Sequence, residues 1–211
     1  MREKNKKALL FDMDGVLVDV FGSYRTAIKL TAESFLEEEI SFEEIQSYKE
    51  KIGFNNDWDL TEAIIISRGK AVEKKMIINK FQEFYLGKNY GGLIQNEKWM
   101  LDKKILSTLA EKYFLAIVTG RPREEAEYAL RANGAENFFL ALVAMEDVAN
   151  GKPDPEGLLK ALSFLGTKNA VYLGDTKNDE AAALNAKIEF IMVDNNSKNN
   201  VNKIARGFAD E

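Results

Sequence analysis

The sequence predicts an α/β protein in which a doubly wound parallel sheet carries a small inserted α-helical domain. Five short apolar runs are each followed by small or acidic residues, and each has the length of a buried parallel strand. Amphipathic helical stretches separate the later runs, as expected of strand–helix–strand units. The predicted strands are Ala8–Asp12, Phe114–Thr119, Phe139–Ala144, Ala170–Asp175 and Phe190–Asp194.

The helices of this core follow the strands along the chain. Trp99–Tyr113 is predicted to be a core helix that leads into the second strand. The remaining core helices are predicted at Arg123–Asn133, Pro155–Leu165, Asp179–Ala186 and Lys198–Arg206.

The interval between the first two strands has a different pattern. It has helical periodicity and no strand pattern, and it ends in the glycine-rich stretch GKNYGGLIQN, which is typical of a returning linker. We therefore expect residues 20–94 to form a helical cap domain, and residues 1–19 and 95–211 to form the Rossmann-like core. The helices predicted in the insert are Tyr24–Leu36, Phe42–Lys51, Leu60–Arg68 and Val72–Leu86.

Composition excludes several classes of chemistry. The 211 residues include no cysteine and no histidine, which rules out disulfides, thiolate zinc sites, cysteine nucleophiles and histidine-based triads. The net charge of −5 argues against nucleic-acid or membrane-surface binding. The chain has neither a signal-peptide pattern nor an apolar stretch near the roughly 20 residues of a membrane span, so we expect a cytoplasmic protein.

Acidic residues collect where the predicted strands end. Ligands of an open parallel sheet bind at the carboxyl ends of its strands, so these residues should share one edge. Acids this close need a compensating cation, and Mg²⁺ is the usual oxygen-bound ion beside a phosphate. The four acids are Asp12, Asp14, Asp175 and Asp179, and the same edge should hold Thr119, Gly120 and Lys152.

The residue types also suggest a reaction. A carboxylate at Asp12 can attack phosphorus and form an aspartyl-phosphate. Asp14 can protonate the leaving oxygen and later deprotonate the attacking water. Thr119, the Gly120 amide and the Lys152 ammonium can stabilise negative charge on the phosphate oxygens.

Four segments, in this order, resemble the four signatures of the haloacid dehalogenase superfamily: FDMDGVLVD (11–19), VTGRP (118–122), GKPDP (151–155) and GDTKND (174–179). Each fragment alone is common as a turn, a helix start or a solvated lysine, whereas the ordered set is specific. The position of the helical insert is similar to the first cap type of subfamily I, in the branch of phosphoglycolate phosphatases and β-phosphoglucomutases.

The resemblance implies roles for individual residues. It implies a Mg²⁺-dependent phosphatase with Asp12 as nucleophile and metal ligand, and Asp14 as acid/base with its backbone carbonyl on the metal. It further implies that Asp175 binds the metal and that Asp179 supports the metal site, directly or through water. Thr119, Gly120 and Lys152 then bind phosphate.

Alternative activities stay open at this point. Dehalogenases of the superfamily lack the second aspartate of the first motif, and Asp14 is present here. A sugar phosphomutase is disfavoured because the mutases' histidine after that motif is missing. A non-catalytic regulator that binds phosphorylated metabolites is weakly motivated because all key acids are present. The substrate is expected to be a small phosphorylated metabolite, with histidinol phosphate, phosphoglycolate and sugar phosphates all open, and monomer and dimer are both open.

Four further residues are candidates for substrate contact: Arg25, Asn56, Arg121 and Arg123. The arginines are suited to bind phosphate or carboxylate groups. For Arg25 the plainer interpretation is an exposed helix arginine. For the segment Asn55-Asn56-Asp57-Trp58, the plainer interpretation is a helix N-cap at Asp57 or Asp59 with Trp58 as a packing residue.

Overall fold

The computed structural model describes residues 6–50, 56–196 and 200–211. Its internal contacts divide the chain into two compact units. The core unit combines the stretch up to Asp19 with Trp99–Glu211, and the helical unit is Val20–Lys98. The helical domain over residues 20–94 stays a prediction, and the helical unit of the structure ends four residues later, at Lys98.

The core unit is built on a five-stranded sheet with the order β5-β4-β1-β6-β7, and its paired strands are parallel. Central β1 pairs Phe11 with Ile117 on one side and with Leu173 on the other, so these three strands end at the same level. The strands are β1 (Ala8–Phe11), β4 (Phe114–Val118), β5 (Ala141–Val143), β6 (Ala170–Gly174) and β7 (Glu189–Met192); β2 (Val18–Asp19) and β3 (Lys98–Trp99) form a separate pair.

Strand β1 is buried on both faces, which explains its unbroken apolar sequence. Leu10 belongs to an apolar cluster that includes Leu158, Leu162 and Ala182 from the flanking helices, while Leu9, on the opposite face, is buried as well. The expected doubly wound α/β fold is confirmed. The helices of this unit are α5 (Lys103–Lys112), α6 (Arg123–Ala132), α7 (Glu156–Leu165), α8 (Lys177–Ala186) and α9 (Val201–Asp210).

The helical unit packs around aromatic side chains. Tyr24 stacks on Tyr85 with ring centroids 4.4 Å apart, and Phe81 contacts both rings. Since α1 contacts each of the other three helices, it forms the centre of this unit. The helices are α1 (Tyr24–Leu36), α2 (Phe42–Lys49), α3 (Asp57–Ser67) and α4 (Lys74–Tyr85).

The helical unit extends to Lys98 because residues 93–97 are bound to it. Ile94 is buried in a 3₁₀ turn that packs on α1 and α4. Asn96 donates to the Gly22 carbonyl, and the Glu97 carboxylate accepts hydrogen bonds from Ser23 and from the Tyr85 hydroxyl.

Some predicted element bounds were wrong. The predicted helix Trp99–Tyr113 begins only at Lys103, because Asp102 caps it by accepting from the Lys104 and Ile105 amides. Helix α9 runs to Asp210, four residues past its predicted end. Predicted helix ends at Lys51 and Lys198 fall outside the described residues. Among the helices that the structure describes, we find none long and apolar enough to cross a bilayer.

Candidate functional site

The acidic site lies at the carboxyl ends of β1, β4 and β6. Asp12 follows β1 and its amide donates to the Leu173 carbonyl, while Thr119 follows β4 and its amide donates to the Val143 carbonyl. Both side chains are buried. Because the three strands end level, the sheet register places Asp12, Thr119 and Asp175 on adjacent strand ends, as the sequence predicts.

The turn after β1 depends on a glycine. Leu17 and Val18 donate to the Met13 carbonyl and Gly15 donates to the Val18 carbonyl, which closes a tight loop. Gly15 has φ +73°, and a Cβ placed there would lie 1.9 Å from Asp175 Oδ2. Only glycine therefore lets this loop approach Asp175 so closely.

Lys152 links the nucleophile candidate to a second buried acid. Its ammonium lies 3.0 Å from Asp12 Oδ1, and it donates to Asp179 Oδ1. The Lys152 side chain is only 6% exposed. A buried ammonium between two buried carboxylates is a strongly coupled arrangement, because little solvent screens it.

Tyr172 belongs to the same network and was missed by sequence reasoning. Its hydroxyl donates to Asp179 Oδ1 at 2.8 Å and accepts from the Lys152 ammonium at 3.0 Å. Burial raises the pKa of this phenol well above its usual value, and the negative charges of Asp179 and Asp12 raise it further, so it remains a donor. The available signal was a polar group within the otherwise apolar strand AVYLG.

Asp179 is anchored through both of its oxygens. While Oδ1 faces Lys152 and Tyr172, Oδ2 accepts from the amide and hydroxyl of Thr176, whose hydroxyl in turn accepts from the Asp179 amide. This reciprocal pair is the capping box that begins α8. Such anchoring suits Asp179 to a supporting role better than to that of a freely exchanging ligand.

The electrostatics of the site favour an additional cation. Burial raises the pKa of Asp12 well above its usual value; Asp179, Asp175 and Asp14 raise it further, and Lys152 opposes them. Burial alone would lower the pKa of Lys152, but Asp12 and Asp179 outweigh it and the net shift is upward. Lys152 is therefore charged, and one ammonium does not balance the acids around it.

The donor set fits a hard divalent ion. Carboxylate oxygens of Asp12, Asp175 and Asp179 lie within 4.8 Å of one another. Clustered carboxylate oxygens are the ligands that Mg²⁺ and Ca²⁺ take in proteins. The geometry supports a divalent metal site at these residues.

Asp14 and Arg121 form an ion pair that the sequence did not predict. Arg121 Nε and Nη2 lie 2.8 Å and 2.5 Å from the same atom, Asp14 Oδ1. The Arg121 side chain is 0% exposed, and that of Asp14 is 30% exposed. The sequence offered Arg121 as a substrate contact, whereas the structure directs its guanidinium to Asp14. Gly120, half-buried, lies between Arg121 and Thr119.

The other three candidate substrate residues have structural partners. Arg123 pairs with Asp147 and donates to the Leu142 carbonyl at 3.1 Å, which fixes the start of α6. Within the helical unit, the Arg25 guanidinium lies 5.3 Å from the Phe21 ring centroid. Substrate contact by these arginines stays a prediction.

Asn56 caps helix α3. Its side-chain oxygen accepts from the Trp58 and Asp59 amides at 2.9 Å and 3.3 Å. The expectation that Asp57 or Asp59 is the N-cap was wrong, because both lie inside the first turn, where Asp57 pairs with Lys49 and Asp59 with Lys74. Asn55 lies outside the described residues, and substrate contact by Asn56 stays a prediction.

Comparisons with known proteins match this chain to one family model and to two phosphatases. A family model described as haloacid dehalogenase-like hydrolase matches residues 9–193. A phosphorylated carbohydrates phosphatase of Thermotoga maritima is 31% identical over 191 residues, covering 88% of this chain and 83% of the relative. The solved structure of phosphatase Tt82 from Thermococcus thioreducens is 31% identical, with a TM-score of 0.78 and coverage of 96% of this chain and 98% of that one.

Another relative is much longer than this chain. An imidazoleglycerol-phosphate dehydratase of Phytophthora nicotianae is 35% identical over 189 residues, which cover 85% of this chain. The match covers only 41% of that relative's length.

Proposed function

The chain belongs to the haloacid dehalogenase-like hydrolase family, and from its site we propose that it is a Mg²⁺-dependent phosphatase that hydrolyses small phosphate monoesters through Asp12. One observation carries the proposal. The buried Asp12 carboxylate lies 3.0 Å from the Lys152 ammonium, within a carboxylate cluster that includes Asp175 and Asp179. This arrangement suits phosphoryl transfer, which depends mainly on positioning and on stabilisation of charge.

In the first half-reaction, an Asp12 carboxylate oxygen attacks phosphorus. The new O–P bond forms as the bond between phosphorus and the leaving oxygen breaks, and Asp14 donates its proton to that oxygen. In the second half-reaction, Asp14 takes a proton from water, the water oxygen binds phosphorus, and the Asp12–phosphorus bond breaks. Both aspartates return to their starting states.

Three groups bind and orient the transferring phosphate. The Lys152 ammonium is already held beside Asp12, so it needs little reorganisation to donate to a phosphate oxygen. We assign the Thr119 hydroxyl and the Gly120 amide to the other phosphate oxygens, because both follow β4 at the same sheet edge. Tyr172 and Asp179 act as positioning residues, since each contacts Lys152.

The metal would be held by Asp12, Asp175 and the Asp14 backbone carbonyl, with Asp179 in support. When bound, Mg²⁺ supplies positive charge that offsets the acids and polarises the substrate phosphate. Gly15 allows Asp175 to approach the loop that carries Asp12 and Asp14. A bound divalent cation would thus explain why these carboxylates lie so close together.

The substrate is best sought among small phosphorylated metabolites. The relative from Thermotoga maritima bears the name of a phosphatase of phosphorylated carbohydrates, so sugar phosphates belong in a substrate screen. The name of the longer dehydratase relative gives a reason to add imidazoleglycerol phosphate, and histidinol phosphate is added because the sequence leaves it open. Phosphoglycolate completes the set.

The decisive test measures phosphate release from para-nitrophenyl phosphate, with Mg²⁺ or with EDTA. We expect Mg²⁺-dependent release by the native protein, and loss of at least about a thousandfold in Asp12→Asn, because that change removes the nucleophile. Asp210→Asn, at an exposed position of α9, is the matched control and should be fully active. Undiminished release by Asp12→Asn would refute the mechanism.

A further inference from the structure

The contact between Arg121 and Asp14 suggests a role beyond the family motif. Among the residues that the structure describes, Arg121 is the largest side chain that is fully buried. Two of its nitrogens, Nε and Nη2, lie 2.8 Å and 2.5 Å from Asp14 Oδ1. A guanidinium removed from water requires hydrogen-bonding partners, and Asp14 supplies one of them.

Arg121 is held in place by its backbone as well. Its amide donates to Thr119 Oγ1 at 3.1 Å, and its carbonyl accepts from the Met145 amide at 3.1 Å. The side chain thus extends from a backbone fixed at both polar groups. An arginine held in this way can set the position of the side chain that it binds.

We propose that Arg121 is a positioning residue that clamps Oδ1 of Asp14, so that Oδ2 is the atom that exchanges a proton with the leaving group and with water. The inference rests on the proposed function of Asp14. Oδ1 accepts from Nε of Arg121 and lies 2.5 Å from Nη2, so we assign proton transfer to Oδ2. As the phosphorus–oxygen bond of the substrate breaks, a proton passes from Oδ2 to the leaving oxygen.

This role predicts a dependence on the leaving group. A para-nitrophenolate leaves readily without a proton, whereas an alkoxide does not. Displacement of Asp14 should therefore lower kcat/KM for an alkyl phosphate far more than for para-nitrophenyl phosphate. General acid catalysis contributes about 100-fold or more, which sets the expected loss for the alkyl ester.

The experiment compares kcat/KM for glycerol phosphate and para-nitrophenyl phosphate in the Mg²⁺-loaded protein. We expect Arg121→Met to lose about 100-fold with the alkyl ester and only a few-fold with the aryl ester. Arg121→Lys should recover part of the alkyl activity, because it retains a cationic donor group that can pair with Asp14. The Arg121→Lys variant also allows the two esters to be compared if Arg121→Met does not fold. Arg131→Met, on helix α6 that follows Arg121 and in an exposed pair with Glu127, is the matched control and should change neither value.

The alternative roles give different results. Equal losses for both esters would mean that Arg121 supports the fold or binds the phosphate that both share, and would overturn the inference while leaving the phosphatase intact. In an Asp14→Asn background, Arg121→Lys should leave the alkyl-to-aryl ratio unchanged; a further change would show that Arg121 does not act through Asp14. A native protein inactive on all phosphate esters would refute the proposed function, and this inference with it.

Discussion

The two units of the molecule use their charged residues differently. In the core unit, Lys152, Asp12 and Asp179 are buried and held together by contacts between separate strands and loops. The helical unit also has exposed ion pairs, as between Arg68 and Glu38 and between Lys74 and Asp59. Buried charges are costly unless they are paired, whereas exposed pairs contribute little. The comparison separates the buried charges to which we assign chemistry from charges that lie in solvent.

The largest contrast should come from removing one lysine in each unit. Lys152→Met leaves Asp12 and Asp179 without their shared ammonium, so we expect loss of nearly all phosphatase activity. We also expect a decrease of about 3 kcal/mol in the free energy of unfolding. Lys74→Met should change stability by less than about 1 kcal/mol, because its pair is exposed. Urea denaturation measures the stability of the two variants, and phosphate release measures their activity. Equal effects of the two substitutions would contradict the expected difference between the units.

Two glycines with nearly the same backbone conformation provide the next comparison. Gly15 and Gly69 have φ +73° and +75°, but an added Cβ clashes with Asp175 at Gly15 and meets nothing within 4 Å at Gly69. Gly69→Ala should cost about 1–2 kcal/mol of stability from strain alone. Gly15→Ala should in addition lower kcat about 100-fold, since it displaces Asp175. Full activity in Gly15→Ala would show that the loop tolerates the displacement.

Two buried tyrosines, one in each unit, test the difference between the core unit and the helical unit through the loss of a single hydroxyl group. Tyr172→Phe removes the donor to Asp179, so we expect a loss of about 1–3 kcal/mol in stability and about tenfold in kcat. Tyr85→Phe removes a donor to Glu97 in the helical unit, and should cost about 1 kcal/mol with kcat retained. If Tyr172→Phe altered stability alone, its hydroxyl would have no part in positioning Lys152.

The smallest effect concerns the loop that carries Lys152. Glu156 accepts from Lys160 and from the Ala149 and Asn150 amides, and these bonds lower its pKa to about 2. A lowered folded-state pKa stabilises the protein above the unfolded pKa, and this contribution is lost as the pH falls towards 2. Glu156→Gln should therefore lower Tm slightly at pH 7 and less at pH 3. A difference in Tm that is constant with pH would mean that the carboxylate charge is not involved.

Sequence reasoning succeeded where the signal was local. Uninterrupted apolar runs identified the strands of the parallel sheet because a strand covered on both faces needs no polar residue. The ends of the helices were predicted less accurately than the strands, since several neighbouring side chains can serve as the N-cap. Asn56 rather than Asp57 caps α3, and Asp102 delays the start of α5.

Contacts between distant segments were not predictable in the same way. Arg121 and Asp14 are separated by 107 positions, and Tyr172 and Lys152 by 20. The motif TGRP does not indicate whether its arginine is buried, because a single sequence does not distinguish a buried arginine from an exposed one. The partner is selected by the shape of the interior and by the cost of leaving a charge there without one.

The sequence by itself determined the order of strands and helices, the chemistry available in a chain without cysteine or histidine, and the acids at the strand ends. The tertiary structure decided which of these groups meet. It brought Lys152 between Asp12 and Asp179, and it directed Arg121 to Asp14. The physical reason is that strand formation depends on the pattern of neighbouring residues. The pairing of buried charges depends instead on register and packing across the whole core.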